Sequence, residues 1–329
     1  MTRLGRLMLA ALLLLGCLLS PALPTPAAGE PVESPLFPRP ALLAPNIEFW
    51  RQVYSTHGVE DFVLHDRENL AVVYEVVRVP ETANPSLAQE LAKPEIQRVR
   101  ARYESILTNL AQGGLPEALG PEAVDVSRLW GCPCAPELLR RAAGNIRAQQ
   151  GLRQKVDEGL VRARRLIPRI LPILARHEVP AELAALPLVE SAFDPQARSK
   201  AGAVGLWQFI RSTGKRYLTI TRKRDDRQDP IRATEAAAKY LRHNYTALGS
   251  WPLAIIAYNH GSEGIRAAKA SVGSAAIEEI VARYTGPRFG FASKNFYAEF
   301  LAALDVVSPL IAEHAPEAGR PRPRSPRQG

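Results

Sequence analysis

Cysteine is nearly absent, with three residues in a chain of 329. Cys132 and Cys134 stand one residue apart in Gly131-Cys-Pro-Cys-Ala135, and the third is Cys17. This count excludes a small fold stapled by many disulfides. Two thiols one residue apart, with no histidine near them, make a poor metal site, so the pair reads as free thiols or a local disulfide. Histidine is scarce too. The six (His57, His65, His177, His243, His260 and His314) show no ligand spacing, which leaves no expected metal and no expected cofactor. Beyond the N-terminus no membrane-crossing stretch is expected. No repeat of fixed period runs through the chain.

Hydrophobic residues make up 46% of the sequence, enough for a sizeable core and too many for wholesale disorder. The first 29 residues have the layout of an export signal. Arg3 and Arg6 precede an apolar run from Leu7 to Leu19, and Ala27-Ala28-Gly29 offers a small-residue cleavage site. A short membrane anchor is the alternative. Leu14-Leu15-Gly16-Cys17 loosely resembles a lipobox, which would put a lipid on Cys17. The expected location is therefore the periplasm or cell envelope, free or anchored. Removing these residues takes away two arginines and no acid, leaving 40 basic and 33 acidic residues and a net charge of +7. Such a chain is drawn to polyanions, and charge alone does not choose among them. Part of the excess lies in the tail from Arg320 to Arg327, which is rich in proline and reads as disordered.

The chain is expected to be mainly α. Prolines 31, 35, 38, 40 and 45 mark an extended linker before a short helix from Ile47 to Ser55. Phe62–His65 and Leu70–Val79 are β-branched runs around Asp66-Arg-Glu-Asn69, a hairpin signal. After Asn84-Pro85 the sequence reads as helical to its end, with turns near Gly113 and Gly131. Four segments follow: a signal at 1–29, a mostly helical accessory region at 30–150, a helical domain at 151–310 and the tail at 311–329. Within the third, Val156–His177 has apolar residues at helical spacing, with Pro168 and Pro172 set to kink or break it. Further helices are expected at Pro230–Ala247, Pro252–Tyr258 and Asn295–Val307.

One carboxyl stands out. Leu183, Leu186 and Glu190 follow at spacings of three and four, so they share a helix face. An acid in line with an apolar stripe is expected to be buried or half-buried, and burial favours its protonated form. A glycosidase needs such an acid near neutral pH to protonate its leaving oxygen. Taken alone, a glutamate at a helix end paired with a cation is the simpler reading of the segment.

The wider sequence alters that balance. Ala185-Leu-Pro-Leu-Val-Glu-Ser-Ala-Phe-Asp-Pro195 resembles the catalytic motif of soluble-type lytic transglycosylases, a family with a goose-lysozyme-like fold. Gly202-Ala-Val-Gly-Leu-Trp-Gln-Phe209 resembles their second motif, Asp229–Leu241 the helix after it, and Ala257-Tyr-Asn259 the third motif. Order and spacing agree over residues 150 to 305. The nearest branch looks like the membrane-bound lytic murein transglycosylase D type, without its C-terminal wall-binding repeats.

The resemblance implies a lysozyme-like helical catalytic domain acting on peptidoglycan glycan strands, with no nucleic acid among its partners. Glu190 would be acid and then base, and the 6-hydroxyl of N-acetylmuramic acid would be the nucleophile. Ser191, Gly205, Gln208, Tyr258, Asn259 and Tyr297 would bind substrate, with Trp207 a sugar platform or a packed aromatic. Asp194, Asp225, Asp226 and Asp229 lie in polar stretches and read as caps or solvated acids, so no second carboxyl in an apolar setting is expected near Glu190. One departure concerns the last motif. Ala292-Ser-Lys-Asn-Phe-Tyr297 stands where the family has Glu-Thr-Arg-Asn-Tyr-Val, so Ala292 replaces an acid and Phe296 a tyrosine. Tyr297 is the candidate to supply the hydroxyl from the next position, although on a helix it would point elsewhere. A lysozyme-like hydrolase and a non-catalytic wall-binding protein are the alternatives.

Overall fold

Two hydrophobic cores share one β-strand. The structure is a computed structural model, and it describes residues 33–82 and 84–315. The signal segment, Cys17 and residues 316–329 of the tail lie outside them, whereas residues 311–314, expected to open the tail, belong to the last helix. Helix α1 (Ala44–Ser55) leads into strands β1 (Asp61–Asp66) and β2 (Val73–Arg78). Helices α2 (Pro85–Ala111), α3 (Pro116–Leu119), α4 (Pro121–Leu129) and α5 (Pro136–Ala143) follow, and then strand β3 (Ile146–Gln150). The remainder is helical: α6 (Arg153–Arg176), α7 (Leu186–Ser191), α8 (Arg211–Gly214), α9 (Pro230–Leu248), α10 (Trp251–His260), α11 (Ser262–Val272), α12 (Ile277–Arg283) and α13 (Phe291–His314).

Local chemistry sets the helix starts. Asn84 accepts from the backbone N–H of Ser86 and Leu87, and Asp229 from Ile231 and Arg232, each with proline at the first helical position. Asp229 is thus a cap, as read from the sequence. Pro168 and Pro172 neither end nor divide α6, which runs through both. Its apolar face, including Ile167, Ile170, Leu171 and Leu174, is buried along the main core. Tertiary packing therefore outweighs the backbone hydrogen bonds that the prolines remove.

The hairpin is present, with β1 paired antiparallel to β2 and Phe62 opposite Val77. Strand β3 was not expected. It pairs antiparallel with the other edge of β1, giving the order β2-β1-β3. Side chains of β1 alternate between the cores. Phe62 and Leu64 join a smaller core with Val99, Leu107 and Leu139. Val63 joins the main core, and His65 packs its ring 4.5 Å from Phe49. Beside the smaller core, Cys132 and Cys134 are joined in a local disulfide.

The main core does not begin at residue 151. Phe37, Leu43, Ile47, Trp50, Val53 and Tyr54 are buried in it with residues of α6, α9, α10 and α13. Phe37 packs 5.2 Å from Phe300, and Ser34 donates to Glu182. Arg39 pairs with the buried Asp305. The expected proline-rich linker is therefore strapped onto the domain it precedes. Helix α13 is long and apolar enough to cross a membrane by composition, but it packs as the buried central helix against α1, α6, α7 and α10.

Candidate active site

The apolar stripe ahead of Glu190 is built as expected. Residues Ala181–Ala185 form a 3₁₀ turn that runs directly into α7, and Leu183 and Leu186 are fully buried. Glu190 is the penultimate residue of α7. The chain then turns through two left-handed residues, Ala192 (φ 51°) and Phe193 (φ 57°), with Phe193 fully buried. Such conformations cost a non-glycine residue on the order of 1 kcal/mol each and persist where packing holds them. Arg162 of α6 donates to the Ala192 carbonyl at 3.1 Å and fixes this turn from behind.

Glu190 lines a cleft of about 480 Å³ with Gln208, Phe209, Tyr240, Tyr258, Asn259 and His260 among its neighbours. The carboxyl is half-buried and makes no hydrogen bond to the described residues. Burial, and secondarily the nearby Glu299 carboxyl, push it up to about 8. Below that pH it keeps its proton.

The predicted companions divide into two groups. Gln208, Tyr258 and Asn259 meet Glu190 in the cleft. Gln208 has φ 46° and anchors its amide by donating to the Gly205 carbonyl at 2.8 Å. Tyr258 donates to the Trp207 carbonyl at 2.8 Å and packs 5.2 Å from Tyr240. Asn259 accepts from Ser293 at 3.0 Å, and Ser293 also lies 3.2 Å from His260 Nδ1. Sequence reasoning missed His260 and Ser293. His260 directly follows the third motif and Ser293 lies inside the last one, Ala292–Tyr297, so both signals were available.

The second group supports the cleft from behind. The Ser191 hydroxyl donates to the Leu206 carbonyl at 2.8 Å and ties α7 to the second motif. Trp207 is fully buried, with its indole N–H on Thr234 at 2.9 Å, so it is a packed aromatic and no sugar platform. Gly205 (φ 83°) is demanded by protein rather than sugar, because a Cβ there would meet the Arg227 carbonyl at 1.9 Å. Tyr297 stands outside the cleft. It is fully buried, and its hydroxyl donates to the Pro38 carbonyl at 2.9 Å. One position on a helix is a rotation of about 100°, so Tyr297 cannot replace the hydroxyl missing at Phe296.

The expectation of a single carboxyl in an apolar setting is also corrected. Glu299 of α13 is half-buried, makes no hydrogen bond to the described residues, and acts electrostatically on Glu190. Burial pushes it up to about 8, opposed by Arg147. Asp194, Asp225 and Asp229 behave as read, whereas Asp226 is buried rather than solvated. Asp225 and Asp226 hold Arg227, Arg224 and Arg232, and Asp194 accepts from the Gln196 N–H.

Residues 173–281 match the family described as Transglycosylase SLT domain. The chain is 48% identical over 88 residues to membrane-bound lytic murein transglycosylase D of Escherichia coli (strain K12), and equally to that of Escherichia coli O6:H1. Those 88 residues are 26% of this chain, which spans only 20% of either relative's length. All the cleft residues named above fall inside the matched span, whereas Ser293 and Glu299 lie beyond it. Residues 173–281 are therefore similar to a transglycosylase SLT domain, and the residues lining the Glu190 cleft fall inside that span.

Proposed function

We propose that this protein cleaves the β-1,4 bond between N-acetylmuramic acid and N-acetylglucosamine in peptidoglycan as a lytic transglycosylase. The observation that carries this is the Glu190 carboxyl lining the cleft of the span that matches an SLT domain, where burial favours its protonated form. In the first step Glu190 gives its proton to the glycosidic oxygen. The bond from that oxygen to the muramic anomeric carbon breaks, and its electron pair leaves with the oxygen. The muramic 6-hydroxyl then attacks the anomeric carbon, and its proton returns to the Glu190 carboxylate. The product ends in a 1,6-anhydro ring and the acid is restored. An intramolecular nucleophile needs no second base and carries an entropic advantage on the order of several kcal/mol. Gln208, Tyr258 and Asn259 offer the polar groups that would hold the sugar for it.

A hydrolase is the second reading, favoured by the presence of Glu299. A water-activating base must be ionised. Glu299, raised to about 8, keeps its proton at neutral pH, which supports the anhydro reaction over hydrolysis. The name of the relatives agrees with an envelope location, and export through residues 1–29 completes the proposal.

Digestion of purified peptidoglycan in heavy-oxygen water, read by mass spectrometry, tests the reaction. Anhydro ends without heavy oxygen are expected, and heavy oxygen in the new ends would establish hydrolysis. Glu190→Gln keeps the shape and loses the proton, so it is expected to abolish cleavage by a folded protein. A folded variant that retains most activity would overturn the assignment.

A further inference from the structure

Asn259 lines the cleft with Glu190, and an asparagine amide has two unlike ends. Its oxygen only accepts and its nitrogen only donates, so whatever holds one end decides which end the substrate meets. Ser293, in the first turn of α13, is 6% exposed. Its hydroxyl donates to Asn259 Oδ1 at 3.0 Å and lies 3.2 Å from His260 Nδ1. A hydroxyl has a single proton. With that proton on Asn259, Ser293 Oγ can only accept from His260, which places the imidazole proton on Nδ1. The chain then runs one way, from His260 Nδ1–H through Ser293 Oγ–H to Asn259 Oδ1. The Asn259 amide N–H groups have no partner among the described residues.

The imidazole itself is fixed in place. Phe289 packs edge-on against it with ring centroids 5.1 Å apart. Gly264 of α11 leaves the room that its opposite edge fills, because a Cβ there would meet His260 Cδ2 at 2.4 Å and Nε2 at 2.7 Å. Burial, and secondarily Arg288, favour the neutral ring, which has one proton to place.

We propose that Ser293 and His260 are positioning residues that leave the Asn259 amide N–H groups for the substrate, so that Asn259 selects a carbonyl oxygen, that of a sugar's 2-acetamido group. This rests on the reading of the cleft as the place where peptidoglycan is cut. A sugar hydroxyl both donates and accepts, and either end of an amide can meet it. The acetamido carbonyl only accepts, and the nitrogen alone can meet it. The opposite setting would put the imidazole proton on Nε2 and leave Nδ1 bare. Ser293 would then give its proton to His260, Asn259 would turn its nitrogen to Ser293, and its oxygen would face the carbonyl unfavourably. Ser293 lies beyond the matched span of residues 173–281, so the selectivity of the cleft depends on a hydroxyl supplied from outside that span.

Nitrogen-15 spectra of labelled histidine in the full chain read the tautomer without relying on catalysis. The proton of neutral His260 is expected on Nδ1, and a proton on Nε2 would overturn the proposal. Cleavage supplies the second reading. The native protein is expected to cut intact peptidoglycan about tenfold better in kcat/KM than the same material stripped of its acetyl groups. Ser293→Ala and His260→Phe should each shrink that preference to about twofold, chiefly by raising KM for the intact material. Ser293→Thr keeps the hydroxyl and should restore the preference. A merely structural role would slow both substrates alike. An undiminished preference in folded Ser293→Ala, or no preference in the native protein, would therefore overturn the proposal. If neither variant folds, the native tautomer and the native preference still decide. Failure of the native protein to cut either material would instead overturn the functional reading, while the histidine spectra still judge the chain of hydrogen bonds.

Discussion

Replacing Glu190 by glutamine is expected to stabilise the protein at neutral pH while removing its activity. The folded carboxyl titrates near 8, against an ordinary value of 4.5. A group raised in this way stays protonated in the folded state when the unfolded chain has released its proton. Its stability contribution is complete below about 4.5 and is lost as pH rises toward 8. Linkage puts the loss at about 1 kcal/mol at pH 5 and about 4 kcal/mol at pH 7.5. These are upper figures, because the carboxyl touches cleft water. Roughly half the difference, about 1–2 kcal/mol, is the working expectation. Glutamine has the same shape and nothing to ionise, so it escapes the loss. Its own cost of burial is the same at every pH and cancels when two pH values are compared. The advantage of Glu190→Gln in Tm should therefore grow between pH 5 and pH 7.5, by roughly 2–5 °C for a chain of this size. Thermal unfolding followed by circular dichroism at both pH values measures it. Parallel Tm curves for the two proteins would refute the reasoning and with it the protonated state of Glu190.

Two further outcomes separate support of the cleft from contact with substrate. Gly205→Ala places a Cβ 1.9 Å from the Arg227 carbonyl at a left-handed position, so unfolding should show a loss of about 2–4 kcal/mol together with loss of cleavage. Tyr297→Phe removes only the hydrogen bond to the Pro38 carbonyl, so stability should fall by about 1 kcal/mol with kcat and KM unchanged. A rise in KM would return Tyr297 to the substrate.

What the sequence disclosed was local. The spacing of Leu183, Leu186 and Glu190 along one face predicted an acid set among apolar residues, and those leucines are fully buried. Two β-branched runs around a polar turn disclosed the hairpin. Strand β3 escaped notice because Ile146-Arg-Ala-Gln-Gln150 has a single β-branched residue and owes its form to a partner more than eighty positions away. Glu299 escaped for the same kind of reason: its effect on Glu190 comes through the packing of α13 on α7, which helical periodicity does not reveal. Tyr297 was named for the substrate even though the next position on a helix points elsewhere, and its hydroxyl is held by the Pro38 carbonyl. Gly205 was read as making room for sugar, although the carbonyl that needs the room is the protein's own.

Strand β1 sends Phe62 and Leu64 into one core and Val63 and His65 into the other. A strand with this double duty cannot be withdrawn from one region without opening the other, so heat or denaturant meets a single cooperative body. Borders drawn by family resemblance then carry no mechanical meaning here. A fragment cut at residues 173 and 281 would lose α13, α1 and the strand that joins the halves. Transplanting the cleft into another protein would require moving nearly the whole of the folded chain with it.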